Sequence, residues 1–543
     1  MTVLRGPPQP PPRHPTLQRA LAAAAASSRG LTFLDAQEAE RRLPFRELHA
    51  RARRMAWALD AIGVRPGDRV ALVLPTGVDF MDAFFGALLA GAVPVPLYPP
   101  VRLGRLDEFH QRTARMIAAA GARLVLSDAR ISRLLGVAIG EARPALGLRR
   151  VAELFDGARG ELDLPGAPGD LALIQFSSGT TVDPKPVALT HTNVLSNAAA
   201  IDTYLPEDLP VPQSGVSWLP LYHDMGLIGC LLLALVHPGD MTLLGPELFL
   251  ARPALWLRAI SRKRATISVA PNFAFGLCAK RIRDEELQGC DLSSWTLALN
   301  GAEPIAPAVL QRFADRFAKF GFDPRALTPV YGLSEASLAV TFTPRRRGAR
   351  VLRVVSVGTP VPGMEVRVEE GRIAVRGPSV MRRYFGKEQD AASPDGWLDT
   401  GDLGFIDSGE LFVSGRAKDL VILRGKNHAP QEFEDALDGL AGVRAGCAVA
   451  VGVPGDDGEE LGLLVETDGA LLEESVRTRV LERTGIRARL IRLLQPGTLP
   501  RTSSGKLRRA EAQRQLLAGE LHPPARVTPL KMARELLRSW LHS

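Results

Sequence analysis

Short apolar runs that alternate with longer segments of helical periodicity constrain the fold of this chain most strongly. Four runs have the length and continuous apolar character of strands that are buried on both faces. They are VALVLP (Val70 to Pro75), ARLVLSD (Ala122 to Asp128), GVSWLPL (Gly215 to Leu221) and ATISVAP (Ala265 to Pro271). Segments with helical spacing separate these runs, so the pattern predicts an α/β architecture.

Changes in pattern along the 543 residues predict more than one hydrophobic core. Beyond about Gly371 the runs become short and are broken by turn residues, and a fresh unit of strand and helix begins near Arg416. We therefore expect a disordered proline-rich segment at 1–15, a large multi-sheet N-terminal domain at 16–416 and a small α+β C-terminal domain at 417–520. An amphipathic, basic tail helix is expected at 521–543.

Charge and composition exclude several classes of protein. The formal net charge is +8, but the arginines are scattered rather than gathered in one block, so we expect no nucleic-acid partner. The four cysteines have neither zinc-site nor disulfide-framework spacing. The longest apolar run, GLIGCLLLALV from Gly226 to Val236, is about half a membrane span, so we expect no transmembrane segment and a cytoplasmic location.

A Ser/Thr/Gly-rich loop, SSGTTVDPKP from Ser177 to Pro186, follows the apolar run LALIQF. If that run is a strand, the hydroxyl and backbone N–H groups of the loop lie at its carboxyl end, where open sheets bind ligands. The loop therefore has the character of a phosphate cradle. It is not a Walker A loop, because it lacks Gly-Lys-Ser/Thr at the start of a helix.

Six further motifs follow that loop. They are SWLPLYHDMG (217–226), LNGAEPI (299–305), VYGLSEAS (330–337), WLDTGDLGF (397–405), GRAKDLVILRGKNHAPQEFE (415–434) and LPRTSSGKLRR (499–509). The succession resembles the adenylate-forming superfamily of acyl-CoA synthetases, luciferases and peptide-synthetase adenylation domains. The resemblance runs from about Leu17 to about Leu516. It implies an AMP-binding (adenylation) domain at 16–416 and a mobile C-terminal domain at 417–520.

Three stretches look like the fatty acyl-AMP ligase branch: VPVPLYPPVRLGRLDEF, HDMG and RGKNHAPQEFE. This resemblance implies that a medium- or long-chain fatty acid is activated with ATP and Mg²⁺ to acyl-AMP, which then passes to a carrier-protein thiol. One departure keeps a second acceptor open. The segment between Glu335 and Gly358 is shorter than in that branch, where a longer insertion disfavours CoA.

The resemblance also implies roles for individual residues. Lys506 bridges the attacking carboxylate and the α-phosphate, Glu335 binds Mg²⁺, and His223 lies beside the acyl entrance. Lys418 matches the hinge between domains. The nucleotide is held by Ser177, Ser178, Gly179, Thr180, Thr181 and Lys185 at the phosphates, Gly301, Ala302, Glu303, Tyr331 and Gly332 at the adenine, Ser334 at the α-phosphate, and Asp402 and Arg416 at the ribose.

Two loop residues motivate an alternative function. Val182 and Pro186 stand where such loops usually have glycine, which stiffens the loop and removes one N–H donor. We expect weaker ATP binding or slower closure rather than loss of chemistry. Three functions remain open: transfer to a carrier protein, transfer to free CoA, and a non-catalytic nucleotide-binding paralogue. The tail helix could dock on the protein itself, on an acidic carrier or peripherally on a membrane.

Overall fold

The computed structural model describes residues 2–100, 105–177, 185–205, 213–423, 426–455, 458–467, 469–502, 506–524 and 536–539. Its strands are β1 Thr2–Arg5, β2 Gly30–Leu34, β3 Glu40–Pro44, β4 Arg69–Val73, β5 Val93–Leu97, β6 Ala122–Ser127, β7 Leu148–Arg150, β8 Leu171–Phe176, β9 Pro186–Thr190, β10 Ser214–Ser217, β11 Asp240–Leu244, β12 Ile267–Ala270, β13 Leu297–Asn300, β14 Leu327–Gly332, β15 Ala339–Phe342, β16 Thr359–Pro360, β17 Glu365–Glu369, β18 Arg372–Arg376, β19 Leu398–Asp407, β20 Glu410–Arg416, β21 Val421–Leu423, β22 Lys426–His428, β23 Val443–Gly455, β24 Gly458–Thr467 and β25 Leu490–Leu494.

The helices are α1 Leu17–Ala24, α2 Phe45–Ala61, α3 Val78–Leu89, α4 Leu106–Ala119, α5 Gly136–Ala142, α6 Val151–Gly157, α7 His191–Asp202, α8 Asp224–Gly226, α9 Leu233–Val236, α10 Pro246–Ala251, α11 Ala254–Lys263, α12 Asn272–Arg281, α13 Pro307–Phe317, α14 Pro430–Ala436, α15 Glu473–Thr484 and α16 Arg509–Leu517. A π-helical segment, Leu227–Leu232, joins α8 to α9. None of the helices in the described ranges is long and apolar enough to cross a membrane.

Two sheets with parallel strands confirm the α/β architecture. The larger sheet has the order β16-β15-β14-β13-β12-β10-β11-β2-β3, and its strands from β14 to β2 run parallel. The smaller sheet, β5-β4-β6-β7, is parallel throughout. The four apolar runs supply β4, β6, β10 and β12, whose buried faces are covered by helices such as α2 and α3.

An antiparallel sheet, β1-β17-β18-β19-β20, corrects the prediction for the N-terminal segment. The expected disorder at 1–15 is wrong, because Thr2–Arg5 pairs with residues 365–368 of β17 and Gly6 N–H donates to Met364 O at 2.8 Å. The prolines begin only at Pro7, after the strand, so they remove no donor from this ladder.

The residues after Arg416 have hydrophobic cores of their own. One core surrounds Phe433 between α14, α15 and the sheet β23-β24-β25, and a second, which includes Leu499, lies on the other face of that sheet. The N-terminal part packs instead around a large core that contains Trp256 and Trp295. Mobility of the C-terminal unit stays a prediction.

Only residues 521–524 and 536–539 of the tail are described, so most of the predicted tail helix lies outside the described residues. The four helical residues at 536–539 contact the N-terminal domain. Gly136 N–H donates to Ser539 Oγ at 2.8 Å, and Arg538 Nη1 lies 2.7 Å from Asp107 Oδ1. These contacts favour docking of the tail on the protein's own surface.

Candidate active site

A cavity of about 1210 Å³ lies between the N-terminal domain and the C-terminal unit. Side chains from both parts line it, and its wall has a polar and an apolar region. The polar region includes His223, Ser334, Glu335, Asp402, Arg416 and Lys506. The apolar region includes Met225, Leu233, Phe273, Leu299 and Phe342. The wall therefore suits a ligand with a charged end and an apolar end.

Asp402 forms the centre of the first polar corner. It is paired with Arg416 across β19 and β20, and Arg416 Nε lies 2.8 Å from Asp402 Oδ1. Tyr331 Oη, at the end of β14, donates to Asp402 Oδ2 at 2.7 Å. Burial and the neighbouring Asp402 raise the pKa of Tyr331 well above its ordinary value, so the phenol keeps its proton. The carboxylate and the aromatic ring are thus fixed relative to each other.

The second polar corner follows β14 directly. A Cβ on Gly332 would lie 1.8 Å from the backbone oxygen of Leu338, so only glycine fits where the chain turns back on itself. The next residues form a short 3₁₀ turn, Ser334–Ala336, that points Ser334 and Glu335 at the cavity. This tight return explains the spacing of the YGLSEAS motif.

Glu335 has the chemistry of a magnesium ligand. Its Oε1 accepts a hydrogen bond from Tyr384 Oη at 2.9 Å, and no hydrogen bond to its Oε2 is found in the described part of the chain. Among the described residues, no group of three or more His, Cys, Asp or Glu side chains is arranged so that it could hold a metal ion. A single carboxylate suits Mg²⁺, which keeps most of its water and takes further oxygens from a phosphate substrate. The residues present therefore fit the ion.

His223, Asp224 and Ser334 are connected through one carboxylate. His223 Nδ1 lies 2.6 Å from Asp224 Oδ1, and Ser334 Oγ donates to Asp224 Oδ2. Burial alone would raise the pKa of Asp224, but His223, Ser334 and Lys506 hold the pKa well below its ordinary value. Asp224 is therefore ionised. It precedes the buried π-helical segment, a form often found at functional sites.

Lys506 reaches the cavity from the C-terminal unit. Thr502 and Lys506 fix the ends of its loop, because Thr502 N–H donates to Lys506 O at 2.7 Å and Lys506 N–H donates to Thr502 Oγ1 at 3.0 Å. Burial lowers the pKa of Lys506, whereas Asp224 and Glu303 oppose that shift. The structure thus places Lys506, from the last motif, near Asp224 and Glu303, which belong to earlier motifs.

Polar contacts hold the C-terminal unit over the cavity. Arg312 of α13 lies 3.4 Å from Asp438, just after α14. On the other side, Arg105 Nη2 donates to Thr498 O at 3.1 Å, and Arg508 lies 3.8 Å from Glu108 of α4. These contacts are few compared with the cores inside either part.

The phosphate loop is only partly described. Ser178, Gly179, Thr180, Thr181 and Val182 lie outside the described residues, whereas Ser177 lines the cavity. Lys185 is exposed, and its Nζ lies 5.0 Å from the centre of the Tyr384 ring, whose hydroxyl contacts Glu335. The loop follows a strand, β8, as predicted, but β8 pairs antiparallel with β9 as a hairpin and is not a strand of either parallel sheet.

The LNGAEP stretch contributes to the wall less directly than expected. Gly301 is buried behind the wall, where a Cβ would lie 2.8 Å from Val330 O. Ala302 and Glu303 line the cavity, Ala302 with a positive φ of 70°. The Glu303 carboxylate accepts a hydrogen bond from Phe273 N–H at 2.6 Å, and burial raises its pKa.

Two other placements refine the sequence-based picture. The sequence offers both Phe273 and Phe275 to pack against an alkyl chain. Phe273 lines the cavity, but Phe275 is wholly buried among Trp256, Trp295 and Phe313, so the expectation is wrong for Phe275. Lys418 is exposed in the 3₁₀ turn Ala417–Asp419 that follows β20. Its role as a hinge stays a prediction.

Sequence reasoning missed the roles of two side chains at this site, Asp224 and Tyr384, and it placed Glu303 only beside the adenine. Asp224 adjoins His223 in the HDMG stretch, but the sequence does not show that it contacts Ser334, 110 positions away. Tyr384 lies in no motif, and its contact with Glu335 follows only from the tertiary structure.

This chain is similar to known proteins over most of its length. Residues 21–385 match the family described as AMP-binding enzyme. A putative acyl-CoA synthetase from Caulobacter vibrioides is 35% identical over 93% of this chain and 96% of its own length. The long-chain-fatty-acid–AMP ligase FadD26 of Mycobacterium marinum is 34% identical over 86% of this chain and 90% of its own. A structure from a study of fatty acyl-adenylate ligases of E. coli and L. pneumophila superposes with a TM-score of 0.86 at 33% identity, covering 93% of this chain and 98% of that one.

Proposed function

Because the chain belongs to the AMP-binding enzyme family and is an AMP-forming ligase, we propose that it activates a medium- or long-chain fatty acid to acyl-AMP and transfers the acyl group to a carrier-protein thiol. One observation carries this proposal. Lys506, Glu335 and Asp402 face the same cavity, which continues into an apolar region that can take an alkyl chain.

In the first half-reaction the fatty-acid carboxylate attacks the α-phosphate of ATP, and pyrophosphate leaves. Lys506 lies where its charge can offset the negative charge on the attacking carboxylate and the α-phosphate together. Glu335 would hold Mg²⁺, which neutralises charge on the phosphates when bound. Ser334 contributes a hydroxyl at the same corner.

The nucleotide is oriented by the Asp402 corner. A carboxylate has about four acceptor positions, so Asp402 can accept from the ribose hydroxyls while it remains bonded to Tyr331 and Arg416. The ring of Tyr331 offers a flat face for adenine, and Ala302 and Glu303 line the same cavity. Ser177 and the loop after it would hold the β- and γ-phosphates. A cytoplasmic location, where ATP and carrier proteins are available, is part of this proposal.

Free CoA is the second candidate acceptor. The segment that joins β15 to β16, residues 343–358, holds no long insertion, and a bridge between Val351 and Val355 turns it back on itself. A non-catalytic paralogue is less well supported, because Glu335, Asp402, Arg416 and Lys506 are all present and face the cavity.

One assay tests the proposal and separates the acceptors. The protein is incubated with ATP, Mg²⁺ and fatty acids of graded length, and pyrophosphate release is followed by acyl transfer to CoA or to a phosphopantetheinylated carrier protein. We expect release with medium or long chains and transfer to the carrier. Transfer to CoA alone would replace the proposed acceptor, and the absence of release with every acid would contradict the proposed function.

A further inference from the structure

Asp224 is a buried carboxylate that connects the two ends of the candidate site. It is 6% exposed, yet each of its oxygens has a partner. Oδ1 lies 2.6 Å from His223 Nδ1 and accepts from Met225 N–H at 2.7 Å, while Oδ2 accepts from Ser334. A carboxylate held at both oxygens leaves its neighbours little freedom to rotate.

This arrangement fixes the orientation and the tautomer of His223. Met225 N–H lies 3.4 Å from His223 Nδ1 but only 2.7 Å from Asp224 Oδ1, so its main acceptor is the carboxylate. The ionised Asp224, 2.6 Å from Nδ1, then accepts a hydrogen bond from Nδ1–H, which leaves Nε2 as the acceptor nitrogen. The His223 side chain is 11% exposed, and its buried Nε2 has no hydrogen-bond partner in the part of the chain that the structure describes. An unpartnered buried acceptor is costly unless it serves a ligand.

His223 lies where the polar and apolar regions of the cavity meet. The chain runs from His223 through Met225 and Gly229 to Leu233, and all four residues line the cavity, the last three in its apolar region. Ser334 and Glu335 lie on the polar side. In an acyl-adenylate the carbonyl stands between the alkyl chain and the phosphate, so it falls at this junction.

We propose that Asp224 is a positioning residue for the acyl-transfer step, which holds His223 so that Nε2 accepts the proton of the attacking thiol. The proposal rests on the proposed function and assigns the proton transfer of its second half-reaction. The thiol gives its proton to Nε2, and a C–S bond forms at the acyl carbonyl. The C–O bond to AMP then breaks, AMP leaves with the electron pair, and the imidazolium returns its proton to water.

The charges around Asp224 suit a site that serves two steps in turn. In the structure Lys506 interacts electrostatically with Asp224 and lines the same cavity as Ser334 and Glu335. If the C-terminal unit withdraws after adenylation, that positive charge leaves with it. The carboxylate is then available to stabilise a positively charged His223. Asp224 would thereby stabilise the positive charge of Lys506 during adenylation and that of His223 during acyl transfer.

The test starts from supplied acyl-AMP, so that both directions of the reaction can be read from the same complex. One reaction adds pyrophosphate and measures ATP formation, and the other adds the thiol that the wild type uses, CoA or the phosphopantetheinylated carrier. For Asp224→Asn we expect thiol transfer to fall by about 100-fold, within the range for loss of a general base. ATP formation should fall less than about tenfold, since Lys506 and Glu335 remain.

The chain offers a matched control in a second His–Asp pair. His237 Nδ1 lies 2.6 Å from Asp202 Oδ1, and neither residue lines the cavity. Asp202→Asn should leave both reactions unchanged. His223→Gln, which keeps a hydrogen-bonding side chain but has no basic nitrogen, should reproduce the selective loss of thiol transfer even if Asp224→Asn misfolds.

Two outcomes would overturn the inference. Thiol transfer at the wild-type rate in His223→Gln would remove the proton acceptor. Equal losses of ATP formation and thiol transfer in the variants would show that Asp224 has a general structural role. A wild-type protein that neither forms ATP from acyl-AMP nor releases pyrophosphate with any fatty acid would instead contradict the proposed function itself.

Discussion

Two charged parts of the cavity wall, the Asp402 corner and the Lys506 side chain, are held in place in different ways. The Asp402 corner comes entirely from the N-terminal domain, where the pairing of β19 with β20 and the end of β14 fix Asp402, Arg416 and Tyr331. Lys506 comes from a unit with separate cores, held in place by a few polar contacts. The residues proposed to bind the nucleotide thus belong to one domain. The proposed adenylation step depends in addition on where the C-terminal unit lies, because that unit carries Lys506.

Lys506→Ala should have the largest effect and should separate chemistry from binding. Loss of a preorganised charge at the reacting oxygens is expected to slow pyrophosphate release with fatty acid by about 1000-fold. ATP affinity should change by less than about threefold in calorimetry. Lys426→Ala, at an exposed lysine on β22, is the control. Normal acyl-AMP production by Lys506→Ala would contradict the assigned role.

Asp402→Asn should give the opposite result, with weaker binding and less effect on chemistry. Hydrogen bonds to a charged group are worth about 1.5–3 kcal/mol, so ATP affinity should fall by roughly 10- to 100-fold. Calorimetric titration with ATP measures this loss. Asp399→Asn, an exposed acid on the same strand paired with Arg372, should bind ATP normally. Equal ATP affinities in Asp402→Asn and Asp399→Asn would contradict the role of the Asp402 corner in nucleotide binding.

The scaffold that carries the Asp402 corner should lose stability in acid. His191 is 1% exposed at the start of α7, where its Nδ1 accepts from Leu17 N–H at 3.2 Å. Burial lowers the pKa of His191 to about 4, below the ordinary 6.5, so the unfolded chain binds the extra proton first. The free energy of unfolding should therefore fall as pH drops from 6.5 towards 4, by up to about 1.4 kcal/mol per pH unit.

His191→Gln tests that dependence, because glutamine can still accept from Leu17 but does not titrate. Denaturant unfolding between pH 7 and 4.5 should give a flatter profile in the variant than in the wild type. The same slope in both proteins would mean that other groups account for the acid sensitivity of the scaffold.

Arg312→Ala should have the smallest effect on activity, because it should change only how the C-terminal unit is held over the cavity. An exposed ion pair contributes about 0–1 kcal/mol, so adenylation should slow by no more than about fivefold, with less effect at high salt. Acyl transfer from supplied acyl-AMP should not decrease. A double exchange, Arg312→Asp with Asp438→Arg, should restore the rate, and failure to do so would leave the Arg312–Asp438 contact without a role in closure.

The sequence predicted the scaffold better than the contacts between distant segments. Apolar runs long enough for buried strands located β4, β6, β10 and β12, because burial on both faces leaves a local signature. Thr2–Arg5 gave no such signature, since a four-residue edge strand is specified by the partner it meets. The run LALIQF did indicate β8, but its antiparallel pairing with β9 was missed, because the choice of partner strand leaves no local signature.

At the site, too, the sequence predicted the motifs better than the contacts between residues far apart in the chain. Motif order brought Lys506, Glu335 and Asp402 to one cavity, but it could not show that Asp224 joins His223 to Ser334. Phe273 and Phe275 are two positions apart on α12, yet only Phe273 reaches the cavity. Which face of a short apolar helix is turned to a ligand depends on neighbours that are far away in sequence.

The strand Thr2–Arg5 also limits the sheet edge that is open to a second molecule. It covers β17 and becomes the edge itself, but it is only four residues long and is soon followed by prolines, so its ladder of unpaired N–H and C=O groups is short. A chain shortened by these residues would keep its catalytic groups, yet the longer strand β17 would become the open edge of its sheet. Its first defect would be aggregation, so solubility, rather than turnover, is the property to watch when this end of the molecule is altered.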